Sequence, residues 1–86
     1  KFSKQAYIIS EHYREIAEAI MEQMGRGVTS IKARGMYSDQ EKRMLFCVVS
    51  KKEIVRLKEI VAEFDSSAFV IVSDAREVFG EGFIEY

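Results

Sequence analysis

Met44-Leu45-Phe46-Cys47-Val48-Val49 is apolar at every position. Successive side chains of a strand point to opposite faces, so a half-exposed strand alternates apolar with polar residues. This run does not alternate, and neither does Ala68-Phe69-Val70-Ile71-Val72. Both read as strands of a sheet whose two faces avoid water. The rest of the chain supplies two amphipathic helices, about enough to cover one face. The other face is expected to be covered by a second copy of the same domain.

Working outward from the first run, Ser50-Lys51-Lys52-Glu53 has the pattern of a capping box, with Ser at N-cap and Glu at N3. The helix that follows carries Ile54, Leu57, Ile60, Val61 and Phe64 on its buried side, with Arg56, Lys58, Glu59 and Glu63 outside. Asp65-Ser66-Ser67 breaks it, and Ala68 to Val72 is the last strand. Upstream, Gln5 to Ile9 reads as the first strand. Ser10 is the expected N-cap of the first helix, and Tyr13, Ile16, Ala17, Ile20 and Met24 form its apolar stripe. Gly25 is the expected left-handed stop. Val28 to Met36 reads as a second strand with Ser30, Lys32 and Arg34 on one face, a charged pattern suited to an edge. Tyr37 to Lys42 is a polar connection leading into the third strand, Arg43 to Val49.

The order is βαββαβ over residues 1–86, one domain of α+β class. It is the ferredoxin-like arrangement, a four-stranded antiparallel sheet with two helices on one face. Right-handed crossovers place the first and third strands in the middle and the second and fourth at the edges. The fourth strand is greasier than an edge position can hide. The missing cover is therefore expected near that strand and the tail from Phe79 to Phe83.

Apolar residues make up 48% and charged residues 31%, a globular rather than a disordered composition. The net charge of −1 excludes a general nucleic-acid binder, which needs a clear basic excess. A single cysteine rules out an intrachain disulfide and a cysteine-based zinc site. The longest apolar run is far too short to span a bilayer. The chain begins at Lys1 and enters a strand almost at once, so it reads as a piece of a longer protein. His12 reads as a solvated surface residue, Cys47 as a buried inert thiol, and Glu11, Glu15, Glu18 and Glu22 as a solvated helix side. No catalytic residue, metal or cofactor is expected, and the chain is not read as an enzyme.

Two features carry a binding hypothesis. Between Arg26 and Arg43 the cations Arg26, Lys32, Arg34, Lys42 and Arg43 face only Asp39 and Glu41, a local +3 in a chain of −1. Such a patch attracts a small anion, although an ordinary solvated edge strand has the same look. Gly80-Glu81-Gly82, set between Phe79 and Phe83, either forms a tight turn or lets backbone approach a ligand. The candidate ligand-binding residues are Arg26, Gly27, Thr29, Arg34, Gly35, Tyr37, Lys42, Gly80, Gly82 and Phe83.

Several segments together carry a family likeness: Gly25-Arg26-Gly27-Val28-Thr29, Tyr37-Ser38 with Glu41-Lys42, Phe46-Cys47-Val48-Val49-Ser50, Leu57-Lys58, Phe64-Asp65-Ser66-Ser67-Ala68-Phe69-Val70, and Glu77-Val78-Phe79-Gly80-Glu81-Gly82-Phe83. Over nearly its whole length the chain resembles the carboxy-terminal domain of the YitT family of bacterial membrane proteins. The resemblance implies a bundle of membrane helices in the same polypeptide, followed by this domain in the cytoplasm. It also implies a ferredoxin fold similar to PII-type signalling proteins. Those assemble as trimers and bind nucleotides between subunits, near the loop joining strands two and three. The corresponding loop, Tyr37 to Lys42, is much shorter here. The implied role is a regulatory module that self-associates, a trimer before a dimer, and binds a small anionic, nucleotide-like ligand at a subunit interface. The alternative is a purely structural oligomerisation domain with no ligand. The resemblance carries over no catalytic residue.

Overall fold

A computed structural model describes residues 3–82. The elements are β1 (Ser3–Ile9), α1 (Tyr13–Met24), β2 (Thr29–Arg34), β3 (Glu41–Ser50), a 3-10 turn (Lys51–Glu53), α2 (Ile54–Phe64) and β4 (Phe69–Ala75). The sheet order is β2-β3-β1-β4, and every neighbouring pair is antiparallel. This is the ferredoxin-like topology expected from the element order, with β1 and β3 central.

Strand alternation builds the core. Ala6 and Ile8 of β1 and Leu45, Cys47 and Val49 of β3 face the helices. They pack against Ile16, Ala19 and Ile20 of α1 and Leu57, Ile60 and Val61 of α2, all buried. Both helices therefore lie on one face. Phe64, expected on the buried side of α2, is its last residue and stays 37% exposed.

Gly25 ends α1 in the left-handed region at φ 66°, where a side chain is disfavoured, and its N–H donates to the Met21 carbonyl at 3.1 Å. Ser10 does not cap α1 as expected. The helix starts three residues later, and the Ser10 hydroxyl accepts the His12 N–H at 2.9 Å while donating to Asp65 at 2.6 Å. The capping role at Glu53 holds: its Oε1 accepts the Ser50 N–H at 2.7 Å.

Glu53 does more than cap. The same oxygen accepts Arg26 Nε at 3.0 Å, tying the segment after α1 to the start of α2. Arg26 Nη1 donates to the Gly82 carbonyl at 3.1 Å, which brings the tail to the same point. A Cβ on Gly82 would approach that guanidinium to 3.3 Å, and φ there is +89°. Burial pushes the Glu53 carboxyl up, but the Ser50 N–H and the Arg26 guanidinium more than offset it, so Glu53 lies below the ordinary carboxylate value.

Two measurable consequences follow from this packing. Glu53→Gln weakens both the cap and the ion pair and should cost about 1–2 kcal/mol at neutral pH. A carboxyl depressed in the folded state stabilises above its unfolded value and loses that contribution as pH falls through the folded value. The gap between wild type and Glu53→Gln in urea melts should therefore be full at pH 6 and shrink at pH values below about 4; a gap unchanged down to pH 3 contradicts the arrangement. Cys47 is 2% exposed, and burial, then the charge of Glu53, raises its thiol to about 11. Ellman's reagent at pH 8 should label it only as fast as the chain opens, with full labelling in denaturant. Immediate labelling of the native chain would contradict this placement.

Candidate functional site

The structure separates the candidate residues into two groups. Arg26 and Gly82 meet at one end of the sheet, with Gly27 adjoining Arg26 in sequence and Gly80 preceding Gly82 in the tail. Arg34, Gly35, Tyr37 and Lys42 gather at the β2–β3 hairpin, beyond the other end. Thr29 opens β2 and faces Phe46, leaving about 17 Å of strand between it and Arg34. Phe83 lies outside the described residues. The hairpin is tied to itself: Gly35 N–H donates to the Gln40 carbonyl at 2.9 Å, Asp39 N–H to the Gly35 carbonyl at 2.7 Å, and Arg34 Nη1 to the Asp39 carbonyl at 2.9 Å.

Four of the five cations of the basic stretch are paired, two of them with carboxylates outside it. Arg26 pairs with Glu53 at 3.0 Å, Lys32 with Glu41 at 3.4 Å, Arg34 with Asp39 at 3.5 Å and Lys42 with Glu11 at 3.6 Å. Arg43 is different. It is half-buried, and its side chain has no hydrogen bond or ion pair among the described residues.

Arg43 opens into a cleft of ≈ 680 Å³ at the end of the sheet where β1 and α2 stop and α1 and β4 begin. Lys42, His12, Glu11, Asp65 and Phe69 also line it. Asp65 Oδ2 accepts the Ser10 hydroxyl at 2.6 Å and Oδ1 accepts the Ser67 N–H at 2.9 Å. These two bonds, with a smaller contribution from His12, hold Asp65 below the ordinary carboxylate value. His12 is half-exposed, 3.9 Å from Glu15. Among the described residues no group of three or more His, Cys, Asp or Glu could hold a metal ion.

The helix-free face of the sheet is the second feature. Strand register lays Ile31, Met44, Ile9 and Phe69 in one row across all four strands, and Thr29, Phe46, Tyr7 and Ile71 in the next. The Tyr7 and Phe46 rings pack at a tilt of 47° with centroids 5.0 Å apart. Phe69 is 69% and Ile71 51% exposed, both on edge strand β4. Apart from Thr29, the two rows make an apolar band across the sheet. It meets the cleft at Phe69 and Ile9, the opposite end of β4 from the tail.

Among the described candidate residues only Lys42 lines the cleft; Arg43 and Asp65, which line it too, were not among the candidates. Arg43 had left a signal. It shares the helix-facing parity of Leu45, Cys47 and Val49, so a cation continues the line of core positions.

No helix among the described residues is long and apolar enough to cross a membrane. A family model described as an uncharacterized protein conserved in bacteria, DUF2179, matches residues 26–80. The chain is 49% identical over 81 residues to the UPF0750 membrane protein YvjA of Bacillus subtilis, covering 94% of this chain and 29% of that protein. It is 35% identical over 75 residues to YitT of the same organism, covering 87% and 27%. The chain thus spans under a third of the length of these relatives. A DUF2179 crystal structure from Eubacterium ventriosum superposes with a TM-score of 0.73 at 32% identity, covering 83% of this chain and 97% of that one. Arabidopsis thaliana PII bound to citrate gives 0.74 at 21% identity, covering 94% and 83%, a likeness of fold. CPII of Thiomonas intermedia K12, bound to ADP, AMP and acetate, gives 0.66 at 20% identity, covering 86% and 85%. The likeness to YitT-type membrane proteins and to the PII-like ferredoxin fold is borne out, and the chain belongs to the DUF2179 family.

Proposed function

We propose that this domain is the cytoplasmic regulatory module of a bacterial membrane protein, which self-associates through its helix-free sheet face and binds a small ligand bearing negative charge beside that interface. The observation that carries it is the apolar band of Ile31, Met44, Ile9, Phe69, Phe46, Tyr7 and Ile71, which no element of the described chain covers. A second copy offers the same band and removes both from water. The PII-like fold favours a trimer over a dimer by analogy. Ligand binding draws support from structural neighbours holding citrate, or ADP, AMP and acetate, and from the cleft that adjoins the band at Phe69. The role is read as non-enzymatic: the hydroxyl of Ser10 donates to Asp65, a carboxylate held below its ordinary value and so a weak base.

One observation favours the purely structural alternative: Arg34 and Lys42, the hairpin cations expected to hold an anion, are already paired with Asp39 and Glu11. The two readings separate by experiment. Sedimentation velocity from 1 to 100 µM should show an oligomer, and Phe69→Glu with Ile71→Lys should convert it to a folded monomer. A wild-type monomer throughout that range removes the assembly reading. Thermal melts with ADP, AMP or citrate at about 100 times Kd should raise the midpoint by on the order of 10 °C. An oligomer that shifts with no small molecule leaves the structural role alone standing.

A further inference from the structure

Arg43 and Asp65 line one cleft, and neither has an opposite charge within ion-pair distance among the described residues. The other acidic and basic walls are matched: Lys42 with Glu11 at 3.6 Å, and Glu41 with Lys32 at 3.4 Å. What remains is one fixed cation and one fixed anion. Extending the β1–β3 register one step past Ile9 and Met44 sets Ser10 beside Arg43. The Ser10 hydroxyl holds Asp65 at 2.6 Å, so the two charges flank the same residue without pairing.

We propose that this cleft binds a small zwitterion, a free α-amino acid, with its carboxylate on the Arg43 guanidinium and its ammonium on Asp65. The inference rests on the reading of the domain as a ligand-binding module and names the class of ligand. A guanidinium presents parallel N–H donors that fit a carboxylate fork. Each Asp65 oxygen already accepts one hydrogen bond and keeps a lone pair for an ammonium donor. Phe69 and Ile9 give the ligand side chain an apolar wall. A polyphosphate fits less well, because Glu11, Glu41 and Asp65 outnumber Lys42 and Arg43 around the cleft.

The test is isothermal titration of the 86-residue chain with the free amino acids, with ADP, AMP and citrate alongside, then with the N-acetyl and carboxamide derivatives of any amino acid that binds. At least one amino acid should bind, and removing either of its charges should weaken binding about tenfold or more. Arg43→Gln and Asp65→Asn should each do the same, and Arg43→Gln should keep the unliganded melting midpoint. If those variants unfold, the derivatives on the wild-type chain decide the matter. Binding of a nucleotide or citrate with no amino acid bound overturns this inference and leaves the ligand-binding reading intact. Equal binding of the blocked derivatives also overturns it. No binding by either panel removes both.

Discussion

Two helices cover one face of a four-stranded sheet, and that constraint governs the rest of the molecule. Ala6, Ile8, Leu45, Cys47 and Val49 meet α1 and α2 and form the buried core. The opposite face carries the apolar rows through Phe69 and Ile71 with no helix over them. In a chain of 86 residues the burial available is modest, so covering that second face would add a large share of apolar contact. The proposed self-association would supply that cover.

The architecture was legible because its signals were local. The runs at Met44–Val49 and Ala68–Val72, the stripe from Tyr13 to Met24, Gly25 and the Ser50–Glu53 box each report a backbone preference within a few residues. Element ends were less legible. Ser10 has the chemistry of an N-cap, but a tertiary partner, Asp65, took its hydroxyl and the helix began later. Phe64 keeps the stripe spacing but is the last residue of its helix.

The candidate site was much less legible, for a physical reason. Charge counted along a sequence says nothing about which charges meet. The +3 stretch dissolves into pairs with Glu53, Glu41, Asp39 and Glu11, two of them outside the stretch. Arg43, a member of that stretch with no special neighbours in sequence, is the cation left over. Asp65, read as a helix breaker, turns out to face the same cleft from the far side of the chain.

On the open face, Gln5 and Ser73 stand opposite each other in the row below the apolar band, and Gln5 Nε2 donates to Ser73 Oγ at 2.9 Å. That bond satisfies only one part of the amide, which has a second donor hydrogen and an acceptor oxygen to place. A covering layer laid squarely over this row would strand those groups away from water. One displaced toward Phe69 would leave them wet at its margin. In the proposed assembly the pair would act as a keying mark, limiting the offset and rotation of a second surface where the grease alone would accept many.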